Sequence, residues 1–347
     1  MSNLVNLASL KLDTVLSLYA QGLINDPGKF VWPQVCPTLL AFDEKGKVLM
    51  MDPEYSLRLK DWDKAYATEN DNPPLLVDYK MGSKDYTMYY LKLGTHISEQ
   101  QIKTYERQKA GKISIKTPVT DPGSFGAKFI VNQFQSMLEK KFFADVLTSG
   151  NYKSGHSITV AAADRWDVNT NNPNDDLQTA RDLMALSGGT ADTMITSPYA
   201  WDRIIRNPFL KTDLMGERGG IVSMERFQQV YLGQKGRVLL SEGLYWDGME
   251  GAASPTGTTR MLKDDIILAK VGDLGQAKNL LPGIVPKTFY TVLYDPDYWF
   301  KMYRVPDRFS EKGYTIVCMV SFGLVYGADT VSNNKIDSGV LINNVVS

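Results

Sequence analysis

The stretch DRWDVNTNNPNDDLQTAR places oxygen-bearing side chains at the spacing of a calcium-binding loop. Asp167, Asn169 and Asn171 match the first three ligands of such a loop. However, Asn172 stands where the loop needs a turn glycine, and Gln178 stands where it needs a bidentate glutamate. Because that glutamate supplies two ligand oxygens and a charge, the sequence predicts no tight calcium site here.

The same stretch also matches the beginning of a helix. Asn174 or Asp175 can cap it, and the acidic pair that Asp175 opens favours the positive end of the helix dipole. Gln178 can close a capping box, Pro173 suits the start of the helix, and Trp166 can anchor the loop through its ring. This interpretation accounts for more of the residues, so we predict a helix start.

The histidines and cysteines lack partners at the spacing that chemistry requires. His96 and His156 are the two histidines of the chain, and neither has a second histidine or a carboxylate at ligand spacing. Cys36 and Cys318 are far apart and form no CxxC pair. This spacing argues against a disulfide framework, a cysteine zinc site and a Cys/His nucleophile.

The sequence motifs of common enzymes and nucleotide sites, HExxH, GxSxG and GxGxxG, are absent. GLINDPGKF is similar to a phosphate loop, but Gly22 and Gly28 are one residue too far apart and Phe30 replaces the magnesium-binding hydroxyl residue. The adjacent Asp264 and Asp265 would point apart in a strand. We therefore predict no catalytic, cofactor-binding or metal-binding residues, and no enzymatic activity.

The composition limits the classes of protein to consider. The 347 residues suffice for one elaborate domain or two modest ones, and 43% of them are hydrophobic. With 38 basic and 39 acidic residues, the chain is poorly suited to grip a phosphate backbone. We expect no secretion signal, because MSNLVNLASL lacks the basic flank and the long apolar run of one. We expect no membrane span, since no run of about 18 apolar residues is present. The two separate cysteines fit a reducing cytoplasm.

Two helices carry clear start signals. Asp121 can cap a long helix that has a proline in its first position, and Gly150 marks its end, which predicts a helix at about 122–149. Ser98 and Gln101 have the spacing of a capping box and predict a shorter helix before it.

The long helix is apolar on two sides. Phe125, Phe129 and Phe143 lie on one side. The opposite side carries an apolar stripe formed by Ala127, Ile130, Val131, Phe134, Met137, Leu138 and Phe142. We therefore predict that both sides are covered, either in a central core or at a contact between subunits.

Two segments are too slender to fold alone. Residues 1–46 form an arm, in which FVWPQVCPTLL carries two prolines and is predicted to extend along another surface. Residues 47–95 show strand-like runs around polar tips, and Tyr86, Met88 and Tyr90 indicate a ribbon sparsely buried on one face. Because a two-stranded ribbon is marginally stable alone, both segments need neighbouring surfaces.

The order of these features resembles the major capsid proteins of tailed bacteriophages, in particular the lambda-type capsid protein E family. LYAQGLINDPGKFVWPQVCP is similar to the arm of the family, KVLMMDPEYSLRLKDW to its extended loop, and the helix ending in FFADVLTSGNY to its spine helix. The most specific match, at 164–210, is DRWDVNTNNPNDDLQTARDLM followed by ADTMITSPYAWDRIIRNPFL. The resemblance covers roughly residues 10–330.

The resemblance implies an α+β fold, the tailed-phage major capsid (Johnson) fold. Helices and strands alternate after the ribbon and strands dominate the C-terminal third, which agrees with an α/β domain beside an α+β domain. The implied parts are an N-terminal arm at 1–46, an extended β-ribbon loop at 47–95, a peripheral domain at 96–174 and 286–347 that contains the spine helix, and an α/β axial domain at 175–285.

The implied function is structural: self-assembly into the icosahedral head shell that encloses phage double-stranded DNA. The expected partners are identical copies in hexamers and pentamers, a separate scaffold protein, a portal and a decoration protein, with packaged DNA nearby but not specifically bound. The expected location is the virion, after assembly in the host cell cytoplasm, with no membrane partner and no cofactor. Trimming the ribbon tip near Asn70–Pro74 is expected to leave monomers soluble but to hinder closed particles.

Three other functions remain open. An encapsulin-like nanocompartment would use the same fold, and packaged DNA or a twelvefold portal would decide against it. A glycan-active enzyme would need paired carboxylates within about 10 Å around an open pocket. Another virion protein, such as a tail or decoration component, would form rings or trimers instead of closed shells.

Overall fold

The computed structural model of the chain combines helices with two larger sheets. The predicted ribbon tip near Asn70–Pro74 lies outside the residues that the structure describes. The described ranges are 13–25, 30–41, 43–51, 81–110, 121–187, 189–215, 222–246, 258–271, 288–294, 300–307, 313–327 and 335–347.

The described helices are mostly short, and α4 is the longest of them. They are α1 (Thr14–Asn25), α2 (Trp32–Val35), α3 (Glu99–Lys109), α4 (Pro122–Val146), α5 (Pro173–Leu186), α6 (Pro198–Ile204), α7 (Pro208–Met215) and α8 (Met224–Phe227). A π-helical turn, Gln228–Leu232, continues α8. Within the described part of the chain, no helix has both the length and the apolar character needed to cross a membrane.

The described strands form two five-stranded sheets and two hairpin-like pairs. They are β1 (Thr38–Ala41), β2 (Lys45–Met51), β3 (Met81–Thr87), β4 (Tyr89–Ile97), β5 (Ser157–Thr159), β6 (Thr193–Thr196), β7 (Arg237–Leu240), β8 (Leu244–Trp246), β9 (Thr258–Arg260), β10 (Ile266–Ala269), β11 (Phe289–Tyr294), β12 (Phe300–Pro306), β13 (Tyr314–Tyr326) and β14 (Gly339–Asn343).

The first sheet has the order β1–β11–β13–β12, and β4 also pairs with β13. β13 alternates between buried and partly exposed side chains, as expected for a strand with one face on the core. Helix α4 covers the buried face. Phe134 meets Phe300 edge-to-face at 5.2 Å between ring centroids, and Phe142 meets Phe289 in the same way at 5.1 Å. These rings fix α4 on the sheet.

Helix α4 begins as the sequence predicts. Asp121 caps it by accepting a hydrogen bond from the backbone N–H of Ser124 at 2.9 Å, and Pro122 occupies the first turn. The helix ends at Val146, three residues before the predicted end, and a 3-10 turn at Ser149–Asn151 comes next. The start is set by local capping, whereas Gly150, predicted to mark the end, lies in the 3-10 turn that follows the helix.

The two-sided covering predicted for α4 holds along only part of its length within this chain. Near the C-terminal end, Phe142 is 0% exposed and Phe143 is 2% exposed, so both sides are covered there. In the N-terminal half, Phe125 is 64% exposed and Phe129 is 51% exposed. Met137, predicted to lie in the opposite stripe, is also exposed. The prediction is therefore confirmed around Phe143, and at the exposed positions the predicted cover by a second subunit stays a prediction.

The second sheet has the order β5–β14–β10–β6–β7. Helices α5, α6 and α7 share its core, in which Trp166, Met184, Ile204 and Ile266 are buried. The C-terminal strand β14 pairs antiparallel with β10 and parallel with β5. The boundaries between the peripheral and axial domains stay a prediction. The pairing of β14 with strands of the second sheet is relevant to them, because residues 286–347 were predicted to belong to the peripheral domain.

The ribbon is formed by β2 and β3, which pair antiparallel along their full lengths. At its base Tyr86 and Met88 are buried and pack with Tyr290 on the first sheet, as their alternation predicts. Gly46 allows this packing, because a Cβ atom there would lie 2.9 Å from the ring atom Cε1 of Tyr86. Tyr90 lies beyond the ribbon, on β4 of the first sheet, and is exposed.

Candidate assembly surfaces

The exposed half of α4 borders an apolar groove. Phe125 and Phe129 form one wall of this groove, Ile97 and Thr95 contribute from β4, and the cavity measures about 380 Å³. Gly126 brings the helix close to the sheet, since a Cβ atom there would lie 3.1 Å from the side chain of Thr95. Two large aromatic side chains beside an open groove are typical of a surface that another protein covers.

Helix α1 protects the edge of the first sheet. The backbone N–H of Asp13 donates to the carbonyl of Met302 at 2.9 Å, and the N–H of Met302 donates to Oγ of Ser17 at 3.0 Å. Asp13 also pairs with Arg304 at 3.4 Å. The backbone carbonyl and N–H of Met302 are therefore hydrogen-bonded, although β12 is an edge strand whose outer backbone groups would otherwise lack partners.

The outer face of α1 is apolar as well. Leu16 and Ala20 are buried, whereas Val15 is 78% exposed and Leu18 is 58% exposed. Tyr19 extends the same exposed face. The arm helix therefore has one face for its own chain and a second apolar face with no cover among the described residues.

The segment Phe30–Cys36 joins the arm to the core. The extended conformation predicted for this proline-containing segment is wrong for α2, because Pro33 sits in the first turn, where no N–H donor is needed. Phe30, Val31 and Trp32 are each at most 5% exposed. The prediction that the segment lies along another surface is confirmed, since it packs against α4.

A buried carboxylate of α4 holds the start of this segment. Glu139 is 0% exposed, and its Oε2 accepts from the backbone N–H of Trp32 at 2.8 Å and of Val31 at 3.0 Å. The hydroxyl of Ser241 also donates to it. Burial raises the pKa of Glu139 to about 7, although these hydrogen bonds oppose the shift. Burial and the nearby Glu139 also raise the pKa of the Cys36 thiol.

The loop before α5 begins a helix as predicted, but with a different cap. Asn172, not Asn174 or Asp175, is the N-cap and accepts from the N–H of Asn174 at 3.2 Å. Pro173 takes the first helical position, so the cap is the residue directly before it, two residues earlier than Asn174. Trp166 is 1% exposed, which confirms its anchoring role.

Further hydrogen bonds tie this loop together. Trp166 donates through Nε1 to Asp176 at 2.8 Å. Gln178 donates to Asp182 instead of closing a capping box. Asn207 donates through Nδ2 to the carbonyl of Trp166 at 2.9 Å and to that of Asn171 at 3.0 Å. These polar side chains therefore stabilise the conformation of the loop before α5.

The calcium-like ligands are used for other contacts. Asp167 accepts from the N–H and the hydroxyl of Ser347, and Arg203 lies beside it. Burial opposes ionisation of Asp167, but the bonds from Ser347 outweigh it and lower the pKa. Asn171 donates to the carbonyls of Ala163 and Arg165. In the described part of the chain, no three His, Cys, Asp or Glu side chains are grouped so as to hold a metal ion; the predicted lack of sites stays a prediction.

The other candidate residues lie apart from one another. His156 is buried and contacts the carbonyl of Gly339 at 3.1 Å and the hydroxyl of Ser187 at 3.2 Å. His96 is exposed and lies 3.9 Å from Asp307. Cys36 and Cys318 are buried free thiols. Asp265 accepts from the N–H of Asn344, whereas the carbonyl of Asp264 accepts from the N–H of Val345.

Glu139 was not predicted from the sequence to be a functional residue. A signal was present, because Glu139 precedes Phe143 and Val146 at the helical spacing of one buried face. A charged residue on such a face needs hydrogen-bond partners. Those partners come from residues 31, 32 and 241, which the sequence does not bring together.

Comparisons with known proteins identify the fold. No family model and no curated protein matches this chain. The crystal structure of a phage-related protein from Bordetella bronchiseptica is 15% identical and matches with a TM-score of 0.69, covering 97% of this chain and 98% of that one. The capsid structure of Cyanophage P-SCSP1u is 10% identical and matches with a TM-score of 0.51, covering 90% of this chain and 87% of that one. The predicted α+β fold of tailed-phage capsid proteins is thereby confirmed.

Proposed function

We propose that this chain is the major capsid protein of a tailed bacteriophage, a structural subunit that self-assembles into an icosahedral head shell around double-stranded DNA. The observation that carries the proposal is the match of a viral capsid structure to 90% of the chain. The match also covers 87% of that capsid chain. Identical copies in hexamers and pentamers are the proposed partners.

The exposed apolar faces support assembly. One is the groove beside Phe125 and Phe129, and the other is the outer face of α1 with Val15 and Leu18. Stable interfaces between obligate partners bury about 2,000–5,000 Å² and are rich in apolar side chains. Copies of the same chain would cover both faces at once and remove them from water.

The proposed role is not enzymatic. The ionisable residues that the sequence suggests for chemistry are engaged in the structure of the fold. Asp167 holds Ser347, and His156 bridges Gly339 and Ser187. A scaffold protein, a portal and a decoration protein complete the proposed set of partners, with the virion as the location and host cytoplasm as the place of assembly.

We further propose that the first sheet with α4 forms the peripheral domain and the second sheet the axial domain. The predicted domain boundaries, 96–174 and 286–347 for the peripheral domain and 175–285 for the axial domain, then need two changes. The pairing of β14 with β10 supports the assignment of 335–347 to the axial domain. The pairing of β5 with β14 supports the same assignment for Ser157–Thr159.

Negative-stain electron microscopy of the purified full chain, expressed with and without a scaffold protein, tests the proposal. We expect closed icosahedral shells, with the scaffold improving their uniformity. Small discrete oligomers, rings or trimers under every condition would contradict it. Shells filled with protein cargo instead of DNA in material from infected cells would indicate an encapsulin-like compartment.

A further inference from the structure

We propose that Glu139 is a protonation-controlled clasp for the segment Phe30–Cys36. The protonated carboxyl group favours the docked segment, and its ionisation loosens the segment from α4. The inference concerns a contact within one chain and does not depend on shell formation.

In the clasp, the carboxyl group of Glu139 contacts the backbone at the start of the segment Phe30–Cys36. Both oxygens of Glu139 contact the N–H of Val31, at 3.1 and 3.0 Å, and Oε2 also contacts the N–H of Trp32 at 2.8 Å. Val31 precedes α2 and has no side-chain cap, so Glu139 supplies that cap from a distant part of the chain. The segment in turn shields Glu139 from water.

In the described part of the chain, the groups around Glu139 include no counterion for its charge. The titratable group from the segment is the buried thiol of Cys36, and the loop after β7 contributes the hydroxyl of Ser241. Among the described basic side chains none forms an ion pair with Glu139: Lys140 lies 4.1 Å from the ring centre of Tyr245, and Arg237 donates to the carbonyl of Gln34. The exposed Glu242 adds no positive charge.

The direction of the pH effect is fixed by linkage between proton binding and docking. In the docked state the pKa of Glu139 is about 7, above its ordinary value of 4.5, because burial disfavours the charged form. Undocking admits water and returns the pKa toward the ordinary value. The docked state therefore holds the proton more tightly, so docking is strongest below about pH 4.5, weakens as the pH rises toward 7, and loses little more above pH 7. Between pH 6 and pH 8 the docking equilibrium weakens about tenfold.

Hydrogen exchange of the full chain, measured by mass spectrometry on peptides that contain Phe30–Cys36, tests the clasp. Wild type and Glu139→Gln are compared at pH 6, 7 and 8, since a comparison at one pH cancels the intrinsic pH dependence of exchange. We expect the protection of wild type relative to Glu139→Gln to fall about tenfold from pH 6 to pH 8. Glu225→Gln, which changes an exposed carboxylate, should behave like wild type.

A second variant protects the test against a folding defect. Ser241→Ala removes a donor to the carboxylate and should move the loss of protection to higher pH. Far-UV circular dichroism confirms that each variant is folded. A ratio between wild type and Glu139→Gln that stays constant from pH 6 to pH 8 would overturn the clasp, as would an unshifted pH profile in Ser241→Ala. Neither result would bear on shell formation, which is measured separately by microscopy.

Discussion

Phe134 has an environment that tolerates no charge. It is 0% exposed and lies edge-to-face against Phe300. Phe134→Asp should prevent folding, because it removes a buried ring worth about 3–5 kcal/mol and buries an unpaired charge. The sum approaches the whole stability of a typical domain, about 5–15 kcal/mol. We expect the same of Leu138→Asp, since Leu138 is 1% exposed. Soluble yield and far-UV circular dichroism measure the effect.

Phe125 provides the matched control on the same helix. It is 64% exposed, so Phe125→Asp should leave the free energy of unfolding within about 0.5 kcal/mol of wild type. If Phe125→Asp lost its fold as Phe134→Asp is expected to, the exposed face of α4 would belong to the core of the single chain.

Asn207 shows how one amide can join three pieces of chain. Its Nδ2 donates to the carbonyls of Trp166 and Asn171, and its Oδ1 accepts from the N–H of Phe209 at the start of α7. Asn207→Ala should lower the free energy of unfolding by about 2–4 kcal/mol, because buried carbonyls lose their donor and α7 loses its cap. Urea denaturation measures the change.

Asn207→Asp separates the two roles of this side chain. Aspartate keeps the acceptor for α7 but loses both donor bonds, and it places a negative charge near two carbonyl oxygens. If this variant were as stable as wild type, the bonds to the loop would contribute little and the cap alone would explain the loss in Asn207→Ala.

At the scale of elements, the hydroxyl group of Ser17 is one of the contacts through which α1 stabilises the edge of the first sheet. Ser17→Ala leaves the buried N–H of Met302 without its acceptor, so the free energy of unfolding should fall by about 1–3 kcal/mol. Leu18→Ala on the exposed face of the same helix should change it by less than about 0.5 kcal/mol. Thermal denaturation of both variants and of wild type tests whether the arm helix is part of the cooperative fold. If Ser17→Ala and wild type have identical melting curves, the arm helix is not part of it.

Helix starts were predictable from sequence because their signals are local. Ser98 and Asp121 cap their helices as predicted, through side chains within three residues of their partners. The cap at Asn172 was misplaced because Asn174 and Asp175 are equally good capping residues, and the helix begins at Pro173 instead of after them.

Contacts between distant parts of the chain could not be predicted. Phe125 and Phe143 have the same character and lie on the same side of α4, yet one is exposed and the other is covered. The cover of the C-terminal half comes from segments more than a hundred residues away, such as Phe30–Cys36. The membership of β14 in the second sheet likewise depends on pairing with distant strands, since more than half of the chain separates it from β5.

The whole molecule combines a complete core with apolar faces that its own described residues leave open. If the groove beside α4 is covered by another copy, Phe125 and Phe129 contribute to each contact between subunits. Replacing both by serine should leave the subunit folded, since both are more than half exposed. Each lost burial is worth about 1.5–3 kcal/mol, so a loss of about 3 kcal/mol lowers the association constant of one contact more than a hundredfold.

The double variant Phe125→Ser/Phe129→Ser should therefore yield soluble subunits that form few closed particles. Gln133→Ser is the matched control, because Gln133 is exposed on the same helix and its loss removes little apolar surface. Sedimentation velocity measures the fraction of assembled protein, and negative-stain microscopy shows whether the particles are closed. Because a shell repeats each contact many times, even a modest weakening per contact should shift the balance strongly toward free subunits. Undiminished shells from the double variant would place the subunit contact elsewhere and leave the groove without a role in assembly.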